Sequence, residues 1–365
     1  MNTPIKVLIV DDSALVRKML NEMLSSDPNI EVVGTAQDPY DAREKIKQLH
    51  PDVLTLDVEM PKMDGVTFLK NLMRLHPLPV VMVSTLTEKG ADVTFEALDL
   101  GAVDFVTKPK IDLEHTFEEY TYEICNKVKS ASRVSKTMLE MRYQRYVRNI
   151  ESGSKTSTGL QSASSATAVQ AISTARASST IVALGASTGG TEAIKEVLVR
   201  MPSNAPAIVI TQHIPAAFSA PFAKRMNTLS EMNVYEAEEG QVIEPGSVYI
   251  APGDRHLLIV KEGARFVCRL DDGEPVNRHK PSVDVMFRSV LKNVGRNTVA
   301  VILTGMGADG AKGMKEMRDQ GIETIAQDEK TSVVWGMPGE AVKIDAASHI
   351  KPLDKVAESI LSLCK

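Results

Sequence analysis

Cysteine is scarce in this chain: there are three, Cys125, Cys268 and Cys364, an odd number set far apart. Such spacing excludes a disulfide framework and a cysteine-built zinc site, and it points to a reducing compartment. Long apolar runs are missing too. None reaches the roughly 18 to 20 residues of a membrane span. The opening MNTPIKVLIVDD breaks its short apolar run with acids and reads as neither signal peptide nor anchor. The expectation is a cytoplasmic protein with no membrane insertion. Positive charge is not in excess, since 42 Lys and Arg stand against 47 Asp and Glu for a formal net charge of -5. That balance offers no general attraction to nucleic acid. No repeat of about 20 to 50 residues is visible, which excludes a solenoid.

What is present is an ordinary globular composition, 43% hydrophobic and 24% charged, over 365 residues, a length that suits two cores better than one. From Ser152 to Thr180 the sequence is dominated by Ser, Thr and Ala and has no acidic or aromatic residue. It buries too little to offset the entropy of ordering and reads as a linker. Before it, LEHTFEEYTYEICNKVKSASRVSKTMLEMRYQRYVRNI spaces its apolar residues by threes and fours. This predicts a helix that leaves the first domain and continues outward. The expected divisions are residues 1–125, an interdomain helix and linker over 126–178, and a second domain over 179–365.

Both flanking regions alternate β-branched runs with amphipathic ones. In the first, KVLIV, EVVGTA, DVLTL, PVVMV and DFVTK are separated by helical patterns such as VTFLKNLMRL. In the second, TIVALG, PAIVITQ, TVAVILTG and IETIAQ repeat the logic, with a hairpin-like patch around SVYIAPGDRHLLIVKEGARFVCRL. Strand and helix in alternation predict two α/β domains, each a doubly wound parallel sheet covered on both faces.

Ligand-handling groups in such sheets collect beyond the carboxyl ends of the strands. In the first domain those ends carry Asp11, Asp12, Asp57, Ser84, Thr85 and Lys108. Three carboxylates so close repel, and Mg²⁺ is the usual remedy. Asp57 could then attack a phosphoryl group whose oxygens Mg²⁺ and Lys108 neutralise. In the second domain, IVALGASTGGTEAI runs a strand through a glycine-rich turn into a helix. Such a turn can hold an anion, yet no acid ends the next strand to hold a ribose, as a dinucleotide site requires. The same stretch fits G-x-S-x-G with Ser187 as nucleophile, although a turn serine can also simply cap its helix. His213 and Asp309 follow two further strands, so the three can meet on one edge as a triad. His256, His279 and Asp328 are the rivals. Glycines around Met306 offer backbone N–H groups to an oxyanion.

VLIVDDSALVR, LTLDVEMPKMDGVTFLK, VVMVSTLT and GAVDFVTKPK resemble the receiver domains of two-component response regulators. The resemblance implies a flavodoxin-like fold in which Asp57 is the phospho-acceptor. Asp12, Asp57 and the backbone carbonyl of Glu59 would hold Mg²⁺, with Asp11 supporting the metal through water. Ser84 would be the switch hydroxyl, Lys108 the phosphate-binding lysine, and Phe105 the aromatic that changes rotamer or, equally, a core residue.

LGASTGG, ITQHIP, YIAPGDRHL and ILTGMGADGAKG resemble the catalytic domain of the chemotaxis receptor methylesterases of the CheB type. That implies a Rossmann-like hydrolase in which Ser187, His213 and Asp309 form the triad and the Met306 N–H lines the oxyanion hole. The implied reaction is demethylation of glutamate methyl esters on methyl-accepting chemotaxis receptors, with deamidation of receptor glutamines beside it. The implied phosphodonor is a chemotaxis histidine kinase. Mg²⁺ in the receiver is the only cofactor expected, with none in the catalytic domain and no nucleic acid as partner. A receiver attached to a protein-directed site also leads to the expectation that phosphorylation activates hydrolysis. A nicotinamide-dependent oxidoreductase and a non-enzymatic output module are the competing readings of the second domain.

Overall fold

A computed structural model describes residues 3–85, 87–108, 117–153 and 180–364. The chain divides into two compact units, Met1–Thr167 and Ala168–Lys365.

In the first unit the five β-branched runs form β1 (Ile5–Val10), β2 (Ile30–Ala36), β3 (Val53–Asp57), β4 (Val80–Ser84) and β5 (Asp104–Thr107). They pair in the order β2-β1-β3-β4-β5, all parallel. β3 and β4 are buried along their whole length, so neither shows the polar alternation of a half-exposed strand. The connecting helices are α1 (Ala14–Ser25), α2 (Pro39–Leu49), α3 (Gly65–Leu75) and α4 (Glu88–Leu100). Their starts are written locally, because Ser13, Asp38, Asp64 and Thr87 each accept a first-turn N–H.

The single outgoing helix expected after the fifth strand is instead two, α5 (Phe117–Ala131) and α6 (Lys136–Gly153). The break falls where Ser135 Oγ accepts the Met138 N–H at 3.2 Å and starts a new helix. α6 then packs on α3 and α4, burying Leu139 and Tyr143 and sending Arg142 Nη2 to the Leu98 carbonyl at 3.2 Å. The expected boundary at residue 125 therefore lies inside α5. Of the Ser/Ala/Thr-rich linker expected from Ser152 to Thr180, residues 154–179 lie outside the described residues.

The second unit centres on β6 (Ile181–Ala186) and β7 (Ala207–Gln212), followed by β8 (Asn233–Glu236) and β9 (Ser247–Ile250). β10 (His256–Glu262) and β11 (Arg265–Asp271) come next, then β12 (Thr298–Ile302), β13 (Glu323–Gln327) and β14 (His349–Lys351). Seven of these pair in the order β14-β13-β12-β6-β7-β9-β8, all parallel, and β10 and β11 form a separate antiparallel ribbon. The hairpin-like patch is thus only partly a hairpin. SVYI is β9 of the main sheet, since its partners are β7 and β8 and not the ribbon beside it in sequence.

Among the described residues the unit's helices are α7 (Gly190–Leu198), α8 (Ala216–Leu229), α9 (Val283–Asn293), α10 (Ala311–Asp319), α11 (Met337–Lys343) and α12 (Leu353–Leu363). α9 shows how the core forms. Val283, Met286, Phe287 and Val290 fall at helical spacing on one face, all fully buried. They join a cluster with Ala183, Val209, Tyr249 and Ile302, residues of four neighbouring strands. The three cysteines are buried, and burial pushes the Cys125 thiol up to about 11 and the Cys268 thiol up to about 12.

In both sheets the strand order turns back at an interior strand, between β1 and β3 in one and between β12 and β6 in the other. Crevices at such points, beyond the carboxyl ends, are where open α/β sheets bind ligands.

Candidate functional site

The first switch point gathers acids. Asp11 and Asp57 are fully buried while Asp12 is exposed, and one carboxylate oxygen from each lies within 4.8 Å of the others. Lys108 Nζ donates to Asp57 Oδ2 at 2.8 Å and stands 3.4 Å from Asp11 Oδ2. Burial, with the neighbouring Asp11 charge, raises the Asp57 carboxyl to about 6, against the pull of Lys108. Burial raises Asp11 too. Lys108 moves the other way from what burial alone would do, because Asp57 and Asp11 raise it. Asp11 Oδ2 is buried and makes no hydrogen bond. An acidic cluster with an unsatisfied oxygen has the chemistry of a hard-cation site.

The other residues expected at this edge lie as follows. The Glu59 N–H donates to Asp57 Oδ1 at 3.2 Å, which brings its peptide to the acid. Ser84 is buried, and Thr94 Oγ1 of α4 donates to its hydroxyl at 2.8 Å. Phe105 is 3% exposed, edge-on to Phe95 with ring centroids 6.4 Å apart, and Lys127 Nζ lies 5.2 Å from its centroid.

At the second switch point Ser187 follows β6. The helix after it, α7, has Gly189 (φ 73°) at its N-cap and no side-chain cap bond, so Ser187 does not serve as its cap. Register does the positioning. Ala186 pairs with Gln212, and the His213 N–H donates to the Ala186 carbonyl at 3.1 Å, so Ser187 and His213 leave adjacent parallel strands side by side. Gln212 Nε2 donates to the Ser187 carbonyl at 3.0 Å and to that of His213 at 3.0 Å. The end of β7 is thereby spent on the serine turn and holds no acid for a ribose.

His213 Nε2 bonds Asp309 Oδ2 at 2.9 Å. Its Nδ1 is buried and has no hydrogen-bond partner among the described residues. A proton on Nε2 would face the carboxylate and leave the lone pair on Nδ1, the reverse of the roles the two nitrogens take in chymotrypsin-type triads.

Asp309 sits where α9 begins. Val283 N–H donates to Oδ2 at 2.7 Å, while Ser282 Oγ and Asn277 Nδ2 donate to Oδ1 at 2.8 and 2.7 Å. The carboxylate caps the helix from outside, in the favourable field of its N-terminus. Burial alone would raise Asp309, but the bonds from His213, Asn277 and Val283 outweigh it and hold the carboxyl well below the usual range.

Of the rivals, His256 is a satisfied core residue. Its Nδ1 accepts from the Ser282 N–H at 3.1 Å and its Nε2 donates to the Glu274 carbonyl at 3.0 Å. Asp328 is occupied by the Thr331 N–H at 3.0 Å and caps its own turn. His279 lies against His213, ring centroids 3.7 Å apart.

Gly305 closes the site from β12. A Cβ there would lie 2.3 Å from Met337 Sδ and 2.9 Å from Ser187 Cβ, so nothing larger than glycine fits behind the serine. Its N–H donates to the Val334 carbonyl at 3.0 Å, and Met306 follows it. Gly305→Ala is therefore expected to displace Ser187, lowering kcat roughly 100-fold and stability by about 1–3 kcal/mol. Steady-state rates and a denaturant melt check both.

An acidic pocket with its lysine in one parallel-sheet unit, and a serine, histidine and aspartate at the sheet edge of the other, are what a response regulator with a hydrolytic output domain requires. Comparison with known proteins resolves the family. Residues 7–121 match the response regulator receiver domain family and residues 182–360 match the CheB methylesterase family. A protein-glutamate methylesterase/protein-glutamine glutaminase of Hydrogenovibrio crunogenus is 68% identical, with 99% of each chain covered. One of the same description from Xanthomonas euvesicatoria is 56% identical over 100% of this chain and 98% of its own. The crystal structure of the Thermotoga maritima CheB methylesterase catalytic domain aligns at 38% identity and a TM-score of 0.50, covering 51% of this chain and 99% of that one. The chain belongs to the CheB methylesterase family, and its competing readings as an oxidoreductase or a non-enzymatic output fall away. Among the described residues no helix is long and apolar enough to cross a membrane.

Proposed function

We propose that this protein is a cytoplasmic, phosphorylation-activated serine hydrolase of chemotaxis receptors. It removes methyl groups from receptor glutamate esters as methanol and deamidates receptor glutamines by the same route. The observation that carries the reading is His213: Nε2 is bound to an ionised, buried Asp309 while the buried Nδ1 lacks a partner, one strand over from Ser187.

Ser187 Oγ attacks the ester carbonyl carbon while its proton passes to His213 Nδ1. Asp309 holds the ring in the tautomer that accepts there and stabilises the imidazolium. The tetrahedral oxyanion faces the Met306 N–H. Collapse breaks the bond to the methoxy oxygen, which takes the proton back from His213 and leaves as methanol. For a glutamine the leaving group is ammonia. Water, deprotonated by His213, then cleaves the glutamyl ester on Ser187 and frees the glutamate carboxylate.

In the receiver, the unsatisfied Asp11 Oδ2 and the clustered carboxylates suit Mg²⁺. Asp12, Asp57 and the Glu59 carbonyl would hold it, with Asp11 supporting them. The metal supplies charge neutralisation at phosphoryl oxygens when bound. Asp57 accepts the phosphoryl group from a chemotaxis histidine kinase, Lys108 pairs with the new charge, and Ser84 and Phe105 respond to it. The hydrolytic unit needs no cofactor.

Release of labelled methanol from receptor-bearing membranes tests the proposal. Addition of Mg²⁺ and a small phosphodonor is expected to raise the wild-type rate roughly 5- to 150-fold, the range of ordinary allosteric coupling. In Asp57→Ala the rise is expected to vanish. A rise that persists there would remove Asp57 as the switch, and absence of methanol under every condition would remove the esterase.

A further inference from the structure

One short turn touches both the histidine and the aspartate of the site. Residues 276 to 279, Val-Asn-Arg-His, close on themselves. The Val276 N–H donates to the His279 carbonyl at 3.1 Å, and the His279 N–H to the Val276 carbonyl at 3.0 Å. Between them Asn277 and Arg278 take φ values of 54° and 67°, the paired left-handed conformation of a type I′ turn. Asn is among the residues that tolerate such backbone best, whereas Arg at the second position replaces the usual glycine. A conformation this unusual at two successive residues is a reason to ask what the turn holds in place.

It holds two side chains. Asn277 Nδ2 donates one proton to Asp309 Oδ1 at 2.7 Å and the other to Asp284 Oδ2 at 2.9 Å. The ring of His279 lies on that of His213, centroids 3.7 Å apart and planes within 15°. Asp284 is itself 1% exposed, and its Oδ1 takes the Gly313 N–H at 2.7 Å. Two buried carboxylates, Asp284 and Asp309, thus stand on either side of one amide.

We propose that this turn is a bracket for the catalytic pair, with Asn277 and His279 as positioning residues; the inference rests on the Ser187–His213–Asp309 reading. A ring held by a single hydrogen bond at Nε2 can rotate about that bond. His279 fixes its plane, and with it the direction of the Nδ1 lone pair that must meet the serine proton. When His213 becomes an imidazolium, the π face of His279 lies against the new charge. Asn277 satisfies one oxygen of each carboxylate, so that Asp309 leaves Oδ2 to His213 and the Val283 N–H and does not share a proton with Asp284. The two contacts need the same turn, because residues 277 and 279 are fixed relative to one another by it.

The test uses the full chain, activated by phosphodonor, on receptor-bearing membranes. Asn277→Gly preserves a left-handed turn and removes only the amide. His279→Ala removes the ring, and His279→Phe restores a flat face with no ionisable group. Asn277→Gly and His279→Ala are each expected to lower kcat roughly 10- to 100-fold with KM within about twofold. His279→Phe is expected to recover most of the loss, a ring-specific rescue that a general loosening of the fold would not give. Full kcat in both Asn277→Gly and His279→Ala, with Ser187→Ala inactive, overturns the bracket and leaves the triad standing. A loss that Phe does not restore overturns the stacking role. Activity in folded Ser187→Ala overturns the triad reading, and the bracket with it.

Discussion

Ser187→Ala is expected to lower methyl-ester hydrolysis by roughly 10⁴- to 10⁶-fold in kcat, the span seen when a triad nucleophile is removed. The fold should hardly register the change. Ser187 does not cap α7, and its main chain is anchored independently, its N–H donating to the Thr304 carbonyl at 3.0 Å and its carbonyl accepting from Gln212. Deleting one partly exposed hydroxyl in that setting changes stability by about 0.5 kcal/mol or less. Chemistry and folding therefore separate in this one variant: methanol release collapses while the melting curve stays. His213→Ala should match it in rate. A Ser187→Ala protein that melts normally and still releases methanol would place the nucleophile elsewhere.

Asp309→Asn carries the second large effect, about 10⁴-fold in kcat, because an amide can offer His213 a donor where the ring needs an acceptor and so favours the wrong tautomer. Here stability does change. The carboxylate accepts from His213, Val283, Ser282 and Asn277, whereas an Asn has a single oxygen to accept with and turns N–H groups toward donors. The cost at pH 7 is on the order of a few kcal/mol.

Its pH dependence has a definite sign. The Asp309 carboxyl lies lower in the folded than in the unfolded chain, so its stabilisation is complete above the ordinary value of 3.8 and is lost as pH falls below it. The gap between wild type and Asp309→Asn should be constant near neutrality and narrow below about pH 4. Trp335 is the chain's single tryptophan, and its Nε1 donates to the Gln327 carbonyl at 3.1 Å within the second unit. Its emission during urea titration would follow this unit alone. A gap that widens in acid would contradict the assignment of Asp309 as an ionised acceptor.

The architecture was legible wherever a strand is buried on both faces, because an unbroken β-branched run such as KVLIV or TVAVI has few other uses. It was less legible at the margins. β8 exposes alternate residues and β14 has only three, none of them buried. β9 was misread because its partner β7 lies far back in the sequence, while the ribbon that follows it has the nearer hairpin signal. The break between α5 and α6 rests on a serine cap inside a run whose apolar spacing passes through it.

Strand-end position brought Ser187, His213 and Asp309 forward, with Asp328 as the rival acid. What the sequence could not show is that α9 delivers its first N–H groups to the Asp309 carboxylate. Asn277 and the stacking of His279 had only a faint signal, an Asn in a polar turn, since a stretch such as PVNRHKPS shows no periodicity.

The burial of all three thiols has a practical side. Cys125 sits in α5, Cys268 in β11 and Cys364 at the end of α12, each shielded from solvent. Thiolates, not thiols, react with alkylating reagents, so the native chain should be nearly silent to iodoacetamide. Exchanging Ser187 for cysteine would then add one sulfur to an otherwise unreactive molecule. Its alkylation rate, read by mass with and without phosphodonor, would report whether the exposure of position 187 changes on phosphorylation, in a protein that no longer turns over its substrate efficiently.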